Sequence, residues 1–183
     1  YGDKLDVQAK NNLLGQIKQE AEGVDEMVRN LLAITRIDAG ALELRHDWID
    51  LREIAERIVS AARRRGAIQK LEIRFPADMP LVRADATLTE QALGNVLANA
   101  IVHTPERTHI ALEAAVTPQS IAIKVIDDGP GIPGDVLPHI FDKFVQARQS
   151  AGTKADGGQG SGLGLAIAKG IMQAHGGEIA AES

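Results

Sequence analysis

The stretch "GGQGSGLGLAIAKG", Gly157 to Gly170, packs six glycines into fourteen residues and then turns abruptly apolar. Glycine loses more conformational freedom on folding than any other residue, so such a run is costly to order. It feeds a helical pattern over about 162–174, and a glycine loop entering a helix presents backbone N–H groups and a positive dipole end to an anion. No Gly-Lys-Ser/Thr follows, so it is not a Walker loop. Gly160, Gly162 and Gly164 alternate, whereas a dinucleotide fingerprint needs its third glycine at the place held by Leu165. Taken alone, the stretch reads equally well as a mobile surface loop.

Two other stretches change that balance. "IDDGPGIP", Ile126 to Pro133, closes an apolar strand with Asp127, then Gly129 and Gly131. A carboxylate at a strand end accepts a hydrogen bond from an exocyclic amine, and the glycines let a flat ring approach the backbone. Asp-Gly-Pro-Gly is also an ordinary turn. "EQALGNVLANAIVHTP" places Asn95 and Asn99 four apart on a helix face packed with Leu93, Val96, Leu97 and Ile101. Those carboxamides are either helix-surface residues or an oxygen ligand for Mg²⁺.

The chain around these motifs mixes helices and strands without a regular βαβ alternation. A long helix is expected over 5–37, where Leu14, Ile17, Ala21, Val24, Val28 and Leu31 form a heptad seam widened by Met27, Leu32 and Ile34. Nothing else in the sequence is long enough to pair with it, which hints at dimerisation. Gly40 caps its end, and Ala41 to Leu44 begin a strand. Asp50 and Glu53 form a capping box for a helix over 51–64, and Thr87 to Val102 is a second apolar-striped helix. "KLEIRF", "HIALEAAV", "SIAIKVID" and "GEIAAE" alternate like strands, with a short helix near 135–141. The expected architecture is α+β: one mixed sheet with helices on one face.

Composition narrows the function classes. The 183 residues are 44% hydrophobic and 25% charged, with net charge -5, which gives no electrostatic reason to expect a nucleic-acid partner. The arginines of "AARRRG" offset a helix dipole. Absence of cysteine excludes disulfides and thiolate metal sites and fits a reducing compartment. No apolar run approaches the roughly 18 residues of a membrane span. The chain opens at Tyr1 without Met, as an excised piece of a longer protein would.

The motifs together resemble the GHKL nucleotide-binding fold in its sensor histidine kinase branch, a two-layer α/β sandwich of the Bergerat type. "LGNVLANAIVHTP" looks like the N box, "DDGPG" the G1 box, "IFDKF" the F box and "GSGLGLAIAKGIMQAHGG" the G2 box with its helix. "NLLAITRIDAGALELRHDWIDL" and "IFDKF" are particularly similar to KdpD-type potassium-sensing kinases. The resemblance implies that Asp127 recognises the adenine amine of ATP, with Gly129 and Gly131 shaping the pocket. It implies Asn99 as ligand of Mg²⁺, Asn95 beside it as a catalytic-site residue, and His103 at the pocket edge. Phe141 and Phe144 anchor a lid over 145–160, and Lys143 reaches the phosphates. Gly160, Ser161, Gly162 and Gly164 cradle the phosphate chain, while Leu163 and Leu165 wall the pocket.

Gyrase- and MutL-type relatives carry a glutamate base where this chain has Asn95, and a carboxamide takes no proton at neutral pH. Hydrolysis is therefore expected to be poor, and the γ-phosphate is held for another nucleophile. The acceptor pattern His-Asp/Glu-x-x-x-Pro is absent. His46-Asp47 imitates it, but Leu51 stands where proline belongs, so His46 reads as a surface residue. The resemblance divides the chain into residues 1–40, the second helix of a dimerisation hairpin, and 41–183, the ATP-binding domain short of its last strand. It implies an acceptor His upstream, a homodimer, a response-regulator partner, a cytoplasmic location and a membrane-anchored parent. Val102 and Gln146 stand where the branch usually has cations. Two other readings stay open: a GHKL ATPase, and a degenerate scaffold.

Overall fold

The computed structural model describes residues 7–145 and 161–183. In chain order the elements are α1 (Val7–Asp38), β1 (Asp47–Ile49), α2 (Leu51–Arg64), β2 (Lys70–Arg74), β3 (Val82–Ala84), α3 (Ala86–His103), β4 (His109–Val116), β5 (Ile121–Asp127) and α4 (Gly164–Ala174), with a 3₁₀ turn at Leu137–His139. Strand β4 is central, parallel to β2 and antiparallel to β5. Register places Leu71 opposite Ile110 and Leu112 opposite Val125. These alternate residues meet Ala55, Ile58 and Val59 of α2 and Leu97 and Ala100 of α3, forming the main core.

Helix α3 is apolar on two sides for a reason. Leu93, Leu97 and Ile101 pack toward the sheet, while Leu88, Ala92 and Val96 meet Leu163, Ile167 and Ile171 around α4. The helix that carries both asparagines is thus fixed between the sheet and α4. Its N-terminus is capped by Asp85, whose Oδ1 accepts the Leu88 amide at 3.0 Å.

The α+β class holds, with local corrections. The single expected sheet is two pieces, a three-stranded β2-β4-β5 sheet and a separate β1-β3 ribbon. Ala41–Leu44 is not a strand; pairing begins at Asp47, where β3 supplies a partner for three residues. The "GEIAAE" strand is absent: residues 177–183 have no regular structure. Among the described residues nothing pairs with the outer edge of β5, and a strand without a hydrogen-bonded neighbour along its length does not persist. Asp50 caps α2 through the Arg52 amide at 2.8 Å rather than Glu53's; Glu53 lies beside Arg57 instead. The helix expected near 135–141 is one 3₁₀ turn containing Pro138.

Along α1 the seam faces outward, with Leu14, Ile17 and Val24 each more than 60% exposed. Only its C-terminal turns are covered. Ile34 is buried and Ala33 and Ile37 pack with it against Ala166 and Ile167 of α4.

Candidate functional site

Asn95 and Asn99 sit one turn apart on α3, both half-buried. Asn95 Nδ2 donates to the Gly164 carbonyl at 3.0 Å, which ties the middle of α3 to the first turn of α4. The tie is close: a Cβ on Gly164 would lie 3.7 Å from Asn95 Cβ. Asn99 makes no side-chain hydrogen bond with any described residue. A half-buried carboxamide left free in this way suits an oxygen ligand.

Among the described residues, no side chain closes the N-terminus of α4. Leu163 is 1% exposed and anchors the turn in the α1-α3-α4 core, and no side chain caps the helix. Among the described residues its leading amides therefore remain available to an anion. Gly162 has φ +66°, and a Cβ there would approach the Phe144 backbone to 3.0 Å. Phe144 itself has φ 63°, and its amide donates to the Gly162 carbonyl at 2.9 Å. A left-handed φ at a non-glycine residue stores roughly 1–2 kcal/mol. Its ring is 66% exposed, so Phe144 holds this junction through its backbone and not by burial. Ser161 and Leu165 flank the turn, half-buried. Gly160 and the expected lid over 146–160, with Gln146, lie outside the described residues.

At the end of β5, Asp127 is exposed and its Oδ1 accepts the Gly129 amide at 3.0 Å. A Cβ on Gly129 would lie 2.6 Å from that oxygen and 2.7 Å from Thr104 Cγ2, so any larger residue would push these side chains aside. Thr104 in turn donates to the Ala100 carbonyl at 2.7 Å and fixes this turn to the end of α3. Gly131, at φ +76°, lies against Ser183 Oγ. The sequence gives no signal for Thr104.

One expected phosphate contact is engaged elsewhere in this structure. Lys143 Nζ donates to both carboxylate oxygens of Asp38 at 2.6 Å, across to the last turn of α1. His103 is exposed at the C-terminal end of α3. Phe141 lines a cleft of about 370 Å³ with Ile34, Ile37, Lys169 and Gly170, on the α1 side of α4.

Behind the site, Asp85 is 7% exposed. Burial works to raise its pKa, but amides of Leu88, Arg45 and Thr87, with His175 nearby, outweigh that and hold the carboxyl below its usual range.

The profile described as "Histidine kinase-, DNA gyrase B-, and HSP90-like ATPase" matches residues 84–183, which span α3, β4, β5 and α4 with Asn95, Asn99 and Asp127. The chain belongs to that ATPase family. The sensor protein KdpD of Clostridium acetobutylicum is 34% identical over 98% of this chain and 20% of its own length. KdpD of Escherichia coli is 32% identical over 91% of this chain and 18% of its length. This chain therefore spans about a fifth of those relatives. The solved structure of the Acinetobacter baumannii histidine kinase AdeS superposes with a TM-score of 0.69 at 25% identity, covering 93% of this chain and 75% of that one. Full-length ShkA in complex with AMPPNP gives 0.72 at 26% identity, over 94% and 35%. The fold is thus that of histidine kinase catalytic domains in this ATPase family.

Proposed function

We propose that residues 41–183 are the ATP-binding catalytic domain of a sensor histidine kinase and that residues 1–40 are the second helix of its dimerisation hairpin. The observation that carries this is the Asn95–Gly164 hydrogen bond, which ties the helix bearing Asn99, without a side-chain partner among the described residues, to the glycine-led N-terminus of α4. Asp127, with one oxygen held by the Gly129 amide, offers its other oxygen to an adenine amine. Gly131 and Gly129 keep the turn thin enough for a flat base. Gly160 to Gly164, walled by Leu163 and Leu165, present amides to the phosphates. Asn99 supplies a neutral oxygen toward Mg²⁺, which when bound neutralises phosphate charge. Lys143 contributes to the phosphates only after leaving Asp38, and His103 and Phe144 border the site from their exposed positions.

Asn95 disfavours hydrolysis. Its carboxamide accepts no proton, and one of its two amide hydrogens is given to the Gly164 carbonyl. Catalysis is then positioning of the γ-phosphate for an external nucleophile, a histidine that residues 1–183 do not supply. His46 is exposed and packs edge-on against His175, 6.0 Å between ring centroids. From the acceptor His, phosphate passes to a response regulator docking beside α1. The outward seam of α1 pairs two copies, on the cytoplasmic side of a membrane-anchored parent.

Calorimetry with a non-hydrolysable ATP analogue and Mg²⁺ tests the site. Binding with micromolar or tighter affinity supports it; no binding at millimolar nucleotide overturns it. Incubation with γ-labelled ATP checks the acceptor: an acid-labile phosphohistidine on this chain would contradict an external one.

A further inference from the structure

The turn over 128–132, which follows β5, is anchored from three separate parts of the chain. Its first residue is tied to the start of β4. The His109 amide donates to Asp128 Oδ1 at 2.7 Å, and the Asp128 amide donates to the His109 carbonyl at 3.3 Å. Behind Gly129, the Thr104 methyl Cγ2 lies 2.7 Å from where a Cβ would stand, so threonine packs directly on the glycine. At the far end the Ile132 amide donates to Ser183 Oγ at 2.6 Å, bridging 51 residues. The same hydroxyl lies 2.8 Å from where a Cβ on Gly131 would stand.

What these anchors fix is the Asp127 carboxylate. Its Oδ1 accepts the Gly129 amide at 3.0 Å, so the plane of the carboxylate follows the place where Gly129 is held. Adenine carries an amine at its 6-position, a donor that a single carboxylate oxygen accepts. Guanine carries a carbonyl there, which the same oxygen repels. Guanine's donors are the adjacent N1–H and N2–H pair, and they fit a carboxylate that faces them with both oxygens. A carboxylate with one oxygen turned into its own turn presents the other singly, which suits adenine.

The geometry points to Thr104 and Ser183 as positioning residues that make the site select adenine over guanine. Both act through the turn: they hold Gly129 and, by way of its amide, keep Asp127 in one orientation. The inference rests on the nucleotide-site reading above. Without either anchor Gly129 drifts, its amide leaves Oδ1, and the carboxylate rotates to meet guanine with both oxygens. The amides that face the phosphates belong to α4, a different element, and stay in place.

Two measurements on the whole chain test this. Calorimetry with non-hydrolysable analogues of ATP and GTP, each with Mg²⁺, gives the ratio of the two affinities. Ser183→Ala removes the Ile132 acceptor. Thr104→Ser removes only the methyl and keeps the hydroxyl that bonds the Ala100 carbonyl. Each should lower the ATP-to-GTP ratio about three- to tenfold, the worth of one hydrogen bond. Ser183→Thr, which keeps the hydroxyl, should restore the wild-type ratio. A folding defect alone weakens both nucleotides together and leaves the ratio where it was. An unchanged ratio in one variant removes that residue from the role. An unchanged ratio in both, or a wild type that binds the two nucleotides equally, overturns the inference. Hydrogen exchange of the Gly129 amide without nucleotide reads the anchoring itself and should quicken about three- to tenfold in both variants; wild-type rates in both overturn it as well. A chain that binds neither nucleotide at millimolar concentration instead overturns the site reading, while the exchange rates still decide whether Thr104 and Ser183 hold the turn.

Discussion

Gly170→Ala should change sign with its neighbour. Gly170 lies within α4, and a Cβ there would sit 2.6, 2.8 and 3.1 Å from Cγ2, Cδ1 and Cγ1 of Ile37 on α1. Ordinary contact begins near 3.4 Å, so the Ile37 side chain or the whole last turn of α1 must yield. Overpacking of this kind costs about 1–3 kcal/mol. Opposing it, alanine stabilises a helix interior by about 1 kcal/mol over glycine. In the wild-type background the two leave a net loss of about 0–2 kcal/mol. In an Ile37→Ala background the obstruction is gone and the same substitution should stabilise by about 1 kcal/mol. A double-mutant cycle by urea denaturation therefore gives a coupling of about 1–3 kcal/mol. If Gly170→Ala has the same effect in both backgrounds to within about 0.3 kcal/mol, α1 does not pack into the α4 notch, and the docking of the long helix is wrong.

Asp85→Ala removes the α3 cap and should cost about 1–2 kcal/mol near neutral pH. Because the folded carboxyl is held below its usual range, its stabilisation is full above the unfolded value, about 3.9. It fades as pH falls through the folded value, so unfolding midpoints of the wild type and Asp85→Asn should converge in acid; a constant gap would contradict the charge's role. Asn99→Ala should abolish the gain in nucleotide affinity on adding Mg²⁺ while leaving the unfolding midpoint within about 0.5 kcal/mol of wild type; undiminished Mg²⁺ dependence would remove Asn99 from the metal. Asp127→Asn can keep the Gly129 bond through Oδ1 and then turns an NH₂ toward the adenine amine. Loss of a charge-assisted bond predicts about ten- to hundredfold weaker binding of ATP, read by calorimetry, and unchanged affinity would displace the base from this strand end.

Much of this arrangement was legible because it is local. The alternation of "KLEIRF" and "SIAIKVID" marks half-buried strands, and Asp50 immediately before an apolar helical pattern marks a cap, since one side chain reaches only the next few amides. Asn95, Asn99, Asp127 and the glycines were named from three short stretches, each carrying its own geometry. The β1-β3 ribbon escaped notice because three residues give too short a period to distinguish from a loop. "GEIAAE" misled in the opposite direction: alternation states what a segment would do beside a partner, and none of the described residues pairs with it there.

The sequence alone determined the four long helices, the strands β2, β4 and β5 and the chemical inventory of the site, all set by contacts within one or two turns of chain. Tertiary structure decided how that inventory is spent. Lys143, expected among the phosphates, is held by Asp38, 105 residues away. His175, unassigned by any motif, closes on Asp85 across 90 residues, and Thr104 confines Gly129. Such pairings depend on which surfaces the packed helices bring within about 3 Å, and no local period in the chain encodes that distance.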